Sequence, residues 1–315
     1  MLKNAYNKIS KEENSKKIKE KINMKKILTF VLAVCLIIPV SLGLVACDKE
    51  DTWNGKTVAV SAEKNGVITI DSAEELAGLA KAVNAGNSFE GKKIELTCDI
   101  DLRNKEWTPI GYGGSDYQGV VDPNGAVFRG EFNGKGHTIE NLRITTFRGG
   151  SANANSATGI GLFGAIANAT VKNLKIEDAI VTGNHYVAAA VGHARGSVID
   201  NVHVEDARIS CVYLDGDESG DKAGVVVAYS GVTTANNGSV TYCTAEDSTV
   251  NAARDAGQII GCLAIDLTGA NQKVSTQTGN VADEVVVTDN NGVQNTDNND
   301  NIKNEVVGRI HDARA

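Results

Sequence analysis

The densest run of ligand-type side chains is Asp215-Gly-Asp217-Glu-Ser219-Gly-Asp221, with oxygen-bearing residues at alternate positions and glycine at the sixth. That spacing matches the first half of a Ca²⁺-binding loop, where alternate oxygens turn toward one ion. The bidentate acid expected at the twelfth position is replaced by Val226. Two readings stay open, a weak calcium site and a solvated acidic loop, and calcium is the one cofactor the pattern calls for. A second set is the acidic pairs Glu177-Asp178, Glu205-Asp206 and Glu246-Asp247. Each follows a strand-like segment by the same offset, so stacked repeats would place the pairs at one corner. Like charges there repel unless water or a cation screens them. His185, His193 and His203 fall in successive segments. They would make a metal site only if their side chains converged, which no spacing requires. Tyr112 and Tyr117 lie in the glycine-rich stretch 111–119 and are the candidate exposed ligand contacts.

Catalytic signatures are missing from this inventory. Cleavage of a polysaccharide needs an acid or base pair, usually with Lys or Arg to hold a uronate or sugar. No cluster of Asp with Lys or Arg recurs at repeat spacing, and there is no Gly-x-Ser-x-Gly elbow, P-loop or dinucleotide fingerprint.

The elements that position these residues follow from composition and repeats. With 42% hydrophobic and 22% charged residues, the 315-residue chain can bury a core. Its 33 Gly, 3 Pro and 5% aromatics suit stacked strands with tight turns. No glycine recurs at every third position, which excludes collagen. A single long apolar run excludes a multi-pass membrane protein.

That run, residues 27–46, follows Met24-Lys25-Lys26 and is broken by Pro39 and Ser41. A basic start, an apolar middle and small residues before a break make a secretory signal peptide. The run ends Leu44-Val45-Ala46-Cys47, which resembles the bacterial lipobox. The resemblance implies a diacylglycerol on Cys47 that anchors the mature chain to the membrane. Met24 reads as the true start, with residues 1–23 an upstream extension or a long basic n-region. Residues 1–47 hold nine Lys against three Glu, which takes the −8 of the whole chain to −14 for the remaining 268. So acidic a chain is repelled by nucleic acid and favours cations or basic partners. Cys98, Cys211, Cys243 and Cys262 read as buried free thiols, with a disulfide among them as the alternative.

Ser72-Ala-Glu-Glu75 is a capping box that opens a helix with apolar residues at 76, 79, 80 and 83, ended by Asn84-Ala-Gly86. Thr57–Val60 and Val67–Ile70 read as flanking strands around a turn at Asn65-Gly66. From Lys93 onward two series recur. One is Asn141-Leu-Arg-Ile, Asn173-Leu-Lys-Ile, Asn201-Val-His-Val, Tyr242-Cys-Thr-Ala and Asn271-Gln-Lys-Val. The other is Gly161-Leu-Phe-Gly, Ala189-Ala-Val-Gly, Val225-Val-Val-Ala and Ile259-Ile-Gly, with an echo at Val306-Val-Gly308. Strand-bearing repeats of this length argue for a solenoid, whose neighbours share one core. The interruptions at 215–222 and 233–238 then fall in loops, where solenoids often bind.

Several of these residues carry a resemblance. Asp99-Ile-Asp-Leu102, Trp107-Thr-Pro-Ile-Gly111, the run Phe128-Arg-Gly-Glu-Phe-Asn-Gly-Lys-Gly-His-Thr-Ile-Glu-Asn-Leu142 and Gly161-Leu-Phe-Gly164 resemble the GLUG-motif family of bacterial surface proteins. The likeness is good over residues 76–204 and loose beyond. It implies a right-handed parallel β-helix and makes His137 part of a structural turn. Some large members of that family carry an IgA-cleaving metallopeptidase, but its His-Glu-x-x-His helix is absent here.

The expected architecture is all-β: a right-handed parallel β-helix with a small N-terminal α/β cap, preceded by a signal-peptide helix. Its expected parts are 1–23 (extension), 24–46 (signal peptide), 47–56 (lipidated tether), 57–92 (cap), 93–288 (repeats), 289–301 (polar loop) and 302–315 (final coil). The expected function is an extracytoplasmic, lipid-anchored, non-catalytic module that binds glycan or protein. A polysaccharide lyase or hydrolase and a passive envelope scaffold are the alternatives.

Overall fold

In the computed structural model the described residues are 53–111, 126–146, 159–211, 222–233, 235–252, 255–266, 273–288 and 306–312. The chain divides into Met1–Ala46 and Cys47–Ala315, and every described residue belongs to the second unit. The expected signal peptide, Cys47, Tyr112, Tyr117, the Asp215–Asp221 run and residues 289–301 all lie outside the described residues.

The described residues form three large sheets of almost wholly parallel strands and a fourth of two parallel strands, Lys222–Gly224 and Asp255–Gly257. The first contains Val67–Ile70, Lys93–Leu96, Glu131–Asn133, Thr170–Glu177, Val198–Glu205, Ser239–Thr241 and Thr276–Thr278 in spatial order. Ile100–Asp101, Thr138–Glu140, Thr244–Glu246 and Val281–Asp283 extend it. The second runs Arg143–Ile144, Ile180–Gly183, Arg208–Cys211, Thr249–Ala252 and Val286–Thr288. The third stacks Phe163–Ala167, Val191–Arg195, Val227–Gly231, Ile260–Asp266 and Val307–Asp312. Read along the chain, the strands visit the first, second and third sheets in turn and then begin again. That cyclic order is a coiled, solenoid-like winding, as the repeats predict.

Registers explain the core. In-register pairing aligns Ile68, Ile94, Phe132, Val171, Ile199 and Val240 in one column of the first sheet. Ile144, Val181, Ile209, Val250 and Val287 align in the second. Phe163, Val191, Val227 and Ile260 align in the third. All are buried, and each such side chain contributes about 1.5–3 kcal/mol when fully withdrawn from water. Phe163 packs between two other rings, with centroids 5.4 Å from Phe128 and 5.1 Å from Phe132.

Helix α1, Ala73–Asn84, covers the start of the coil. Ser72 caps it by accepting from the Glu75 amide at 3.4 Å. Glu75 reaches back to the Asp71 amide, one residue earlier than an ideal capping box, and also accepts from Ser61. Its buried face carries Leu76, Leu79, Ala80 and Val83 as the spacing predicts. Gly78 is required by close approach, since a Cβ there would meet the Val58 carbonyl oxygen at 1.7 Å.

Four expectations need correction. Thr57–Val60 is not a strand. Val67–Ile70 pairs in parallel with Lys93–Leu96, so the first sheet starts inside the segment read as a cap. Asn141 does not align with Asn173. Glu140 pairs with Glu177 and Arg143 with Ile180, which places Asn141 opposite Asp178 at the next corner. Both Asn141 (φ 58°) and Asn173 (φ 51°) are left-handed bends followed by an apolar alternation, so the two corners write the same Asn-Leu-x-Ile string. Lys273–Val274 is not a first-sheet repeat either. It runs antiparallel to Ile265–Asp266, and Thr276–Thr278 takes the first-sheet position. The alignment of Asn173, Asn201 and Tyr242, and of the whole third-sheet series, agrees with the observed registers.

Candidate functional site

Two edges of the coil carry the chemistry. The first lies between the first and second sheets. There the strands are joined by two residues in five coils, and the leading one is left-handed: Asn141 (φ 58°), Asp178 (52°), Asp206 (54°), Asp247 (45°) and Glu284 (48°). Asn and Asp tolerate that conformation better than other residues with a Cβ. The preceding residues form a ladder, Asp101–Glu140–Glu177–Glu205–Glu246–Asp283. The acidic pairs therefore stack at one corner. A protein cation bridges the ladder's centre: Lys175 contacts Glu177 and lies 2.8 Å from Glu205. Those two carboxylates push the Lys175 pKa well above its ordinary value. Glu140 lacks such a partner among the described residues. Burial, with Glu177, Asp101, Asp99 and Asp178 around it, raises its pKa.

The second edge lies between the second and third sheets. In the coil 180–195 it is crossed by Asn184–Ala190. In the neighbouring coils the same crossing contains the segments 147–158, 212–221, 253–254 and 289–305, all outside the described residues. The described strands that flank these segments are in register, so their ends share one edge of the coil. Single bridges link Ile160, Val187 and Ala223 across it, and Lys222–Gly224 pairs with Asp255–Gly257.

At its base is an aromatic and charged cluster. His193 and Tyr229 are register partners in the third sheet, with Cys262 next in the row. Tyr186 stacks on His193 at 4.9 Å and 17°, and Tyr229 lies 4.9 Å from His193 and 5.4 Å from Tyr186. Lys222 stands 5.5 Å above the Tyr186 ring and 3.4 Å from the Asp255 carboxylate. The Lys222 and Asp255 side chains are only 13% and 2% exposed, so the pair is withdrawn from water. Burial, helped by Arg195 and Lys222, drives the His193 pKa down to about 3. Burial likewise raises the Tyr229 phenol above its usual range. At neutral pH His193 is uncharged and Tyr229 protonated. Neither is poised near pH 7, as a general acid or base would be.

The histidines do not converge. His193 belongs to the third sheet and His203 to the first, where its ring nitrogens meet Thr244 at 2.8 Å and Asn201 at 2.9 Å. His137 lies 3.2 Å from Asp99. Among the described residues no three His, Cys, Asp or Glu side chains are arranged to hold a metal ion. Cys211, Cys243 and Cys262 are buried and outside any disulfide, as read from the sequence. Burial pushes the Cys243 thiol up to about 12, so it packs as a small hydrophobe. Cys98 departs from both readings: it is disulfide-bonded, and to none of these three. Sequence reasoning missed the Tyr186–His193–Lys222–Tyr229–Asp255 cluster. The aligned third-sheet series contained the signal, since His193 and Tyr229 each stand two residues after Val191 and Val227.

No protein-family model matches the chain. Over 135 residues, 41% of its length, the chain is 32% identical to halomucin of Haloquadratum walsbyi (strain DSM 16790 / HBSQ001). The aligned part spans 1% of halomucin's length. Among solved structures, a "putative immunoglobulin A1 protease" from Bacteroides ovatus aligns over 78% of this chain and 84% of its own, with 15% identity and a TM-score of 0.40.

Proposed function

We propose that this chain is a lipid-anchored, extracytoplasmic binding module, coiled as a right-handed parallel β-helix of the GLUG type, and that it acts without catalysis. One observation carries the binding reading. The described strand ends that flank the interruptions share one edge, which also carries the aromatic–cation cluster, while the opposite corner keeps the same two-residue length in five coils. A stiff rod that gathers its variable segments on one side suits contact with an extended glycan or protein surface. The right hand follows from the general preference of parallel crossovers. The lipobox at Cys47 and the signal peptide before it supply the anchor. The non-catalytic reading is supported by His193 and Tyr229, whose titrations lie far from neutrality. The Asp215–Asp221 run, next to Lys222 in the sequence, is the candidate ligand set for a calcium ion.

The test uses the Cys47–Ala315 unit on arrays of glycans and matrix proteins, with calcium and with chelator. Captured ligands are then weighed by mass spectrometry. Binding with unchanged ligand mass is expected. Shortened glycans would replace this reading with a polysaccharide-cleaving enzyme, and silence across the arrays would favour a passive scaffold.

A further inference from the structure

A separate feature lies at the other end of the molecule. Between helix α1 and the first coil is a cleft of about 400 Å³, within the size range of small-molecule sites. Its apolar wall is made by Trp53, Trp107, Ala77, Ala80 and Ala85, and Lys81 stands at its rim. The two indole rings are 5.9 Å apart and tilted by 57°.

What the cleft can hold follows from which of its polar groups are already used. Both indole N–H groups donate inward, Trp53 to the Lys56 carbonyl at 2.9 Å and Trp107 to the Leu162 carbonyl at 3.2 Å. Asn84 donates to the Pro109 carbonyl and accepts from the Gly111 amide. Glu106 accepts from the amides and hydroxyls of Thr145 and Thr146 and pairs with Arg143 at 3.3 Å. The amide and carboxylate that would grip sugar hydroxyls are thus committed, and the remaining uncharged polar side chains of the lining are Thr57 and Thr108. The charged group left is Lys81, exposed and without an ion pair among the described residues. An apolar slot with one cation at its mouth complements an apolar chain with an anionic head, not a polyol.

We infer that this cleft binds a single-chain anionic lipid, taking its acyl chain against the two tryptophans and its headgroup at Lys81. The source is the membrane. Trp53 is six residues from Cys47, at most about 20 Å of extended chain, so a lipidated protein would hold the cleft against its bilayer. The lipidation reading enters only through that source. The test uses unlipidated protein, so its failure leaves both the anchor and the proposed edge for glycan or protein binding untouched.

The chain has only two tryptophans, and both line the cleft, so its indole fluorescence reports on this site alone. The Cys47–Ala315 unit is titrated with a dibrominated C18 carboxylate below its critical micelle concentration, because bromine quenches an indole it touches. The matching dibrominated alcohol is the uncharged control. Saturable quenching by the carboxylate is expected. Lys81→Glu, at an exposed position, weakens it about fivefold, as for one solvent-exposed ion pair, and leaves the alcohol unchanged. Ala85→Phe, which fills the mouth from an exposed residue, abolishes quenching by both while circular dichroism stays native. No saturable quenching by the carboxylate, or quenching indifferent to Lys81→Glu and Ala85→Phe in folded protein, overturns the inference.

Discussion

The two edges of the coil start from the same repeat and end in opposite chemistries. At the corner between the first and second sheets, a left-handed residue turns the chain within two positions, five times over. Such a turn leaves no room for insertion, and the carboxylates beside it face water. At the edge between the second and third sheets, the crossing is longer and variable, and its base is packed with Tyr186, His193, Tyr229 and the Lys222–Asp255 pair. The lesson is that strand stacking dictates the core columns but not the edges. Edges are set by how many residues the turn admits. A tight turn admits only solvated charge, whereas a loose one collects rings, buried ions and inserted segments.

The largest expected effect tests the buried pair. Asp255→Ala strands the Lys222 ammonium away from water and should cost about 3–5 kcal/mol in urea unfolding. The double variant Lys222→Met with Asp255→Leu should recover most of that loss, because no charge is left buried. If Asp255→Ala were as mild as a surface change, the second edge would be as wet as the first.

Next comes pH. The His193 pKa is held near 3 in the folded chain, against about 6.5 when unfolded. The unfolded state therefore binds the extra proton between those values. This contribution is complete above pH 6.5 and is lost as pH falls, at up to about 1.4 kcal/mol per pH unit. His193→Phe keeps a ring between the tyrosines and should flatten that slope in denaturant titrations from pH 7.5 to 5. An unchanged slope would mean the imidazole is hydrated.

The tight corner should respond to backbone geometry more than to charge. Asp206, at φ 54°, should lose about 1–2 kcal/mol on change to Val, a β-branched residue poorly suited to the left-handed region. Asp206→Asn should stay within about 0.5 kcal/mol. Equal losses in thermal melts would make the carboxylate the important feature of this corner.

The smallest effect concerns the ladder. Glu140 has a raised pKa, so its penalty is present above the folded pKa and disappears below the ordinary Glu range. Glu140→Gln should therefore stabilise at pH 7 by less than about 1 kcal/mol, given solvent screening, and the gain should vanish by pH 4. A loss at pH 7 would show that the ladder attracts rather than repels.

Much of this contrast was legible in the chain itself. Strand alternation and the series that begins Gly161-Leu-Phe-Gly and Ala189-Ala-Val-Gly marked the third-sheet register, because inward Phe163, Val191, Val227 and Ile260 leave an unbroken apolar mark. The acidic pairs gave the tight corner, because each follows its strand at a fixed distance. Where the reading slipped at Asn141, the cause was degeneracy. A left-handed Asn before an apolar alternation serves two different bends, and local pattern cannot say which sheet follows. The aromatic edge was hidden for another reason. Tyr186, Lys222 and Asp255 come from three coils and meet only through the stacking of Val187, Ala223 and Ala256.

The central claim is that ligand is taken at the edge between the second and third sheets. It is tested most directly by binding measured side by side on two variants of the Cys47–Ala315 unit, using a ligand found on the arrays. One variant replaces residues 212–221 with a short Gly-Ser link, and the other carries Glu205→Gln at the acidic corner. The account predicts that the first loses binding at least tenfold while the second binds as the parent does, with ligand mass unchanged throughout. Binding that survives the 212–221 replacement but falls with Glu205→Gln would contradict it and place recognition on the carboxylate ladder.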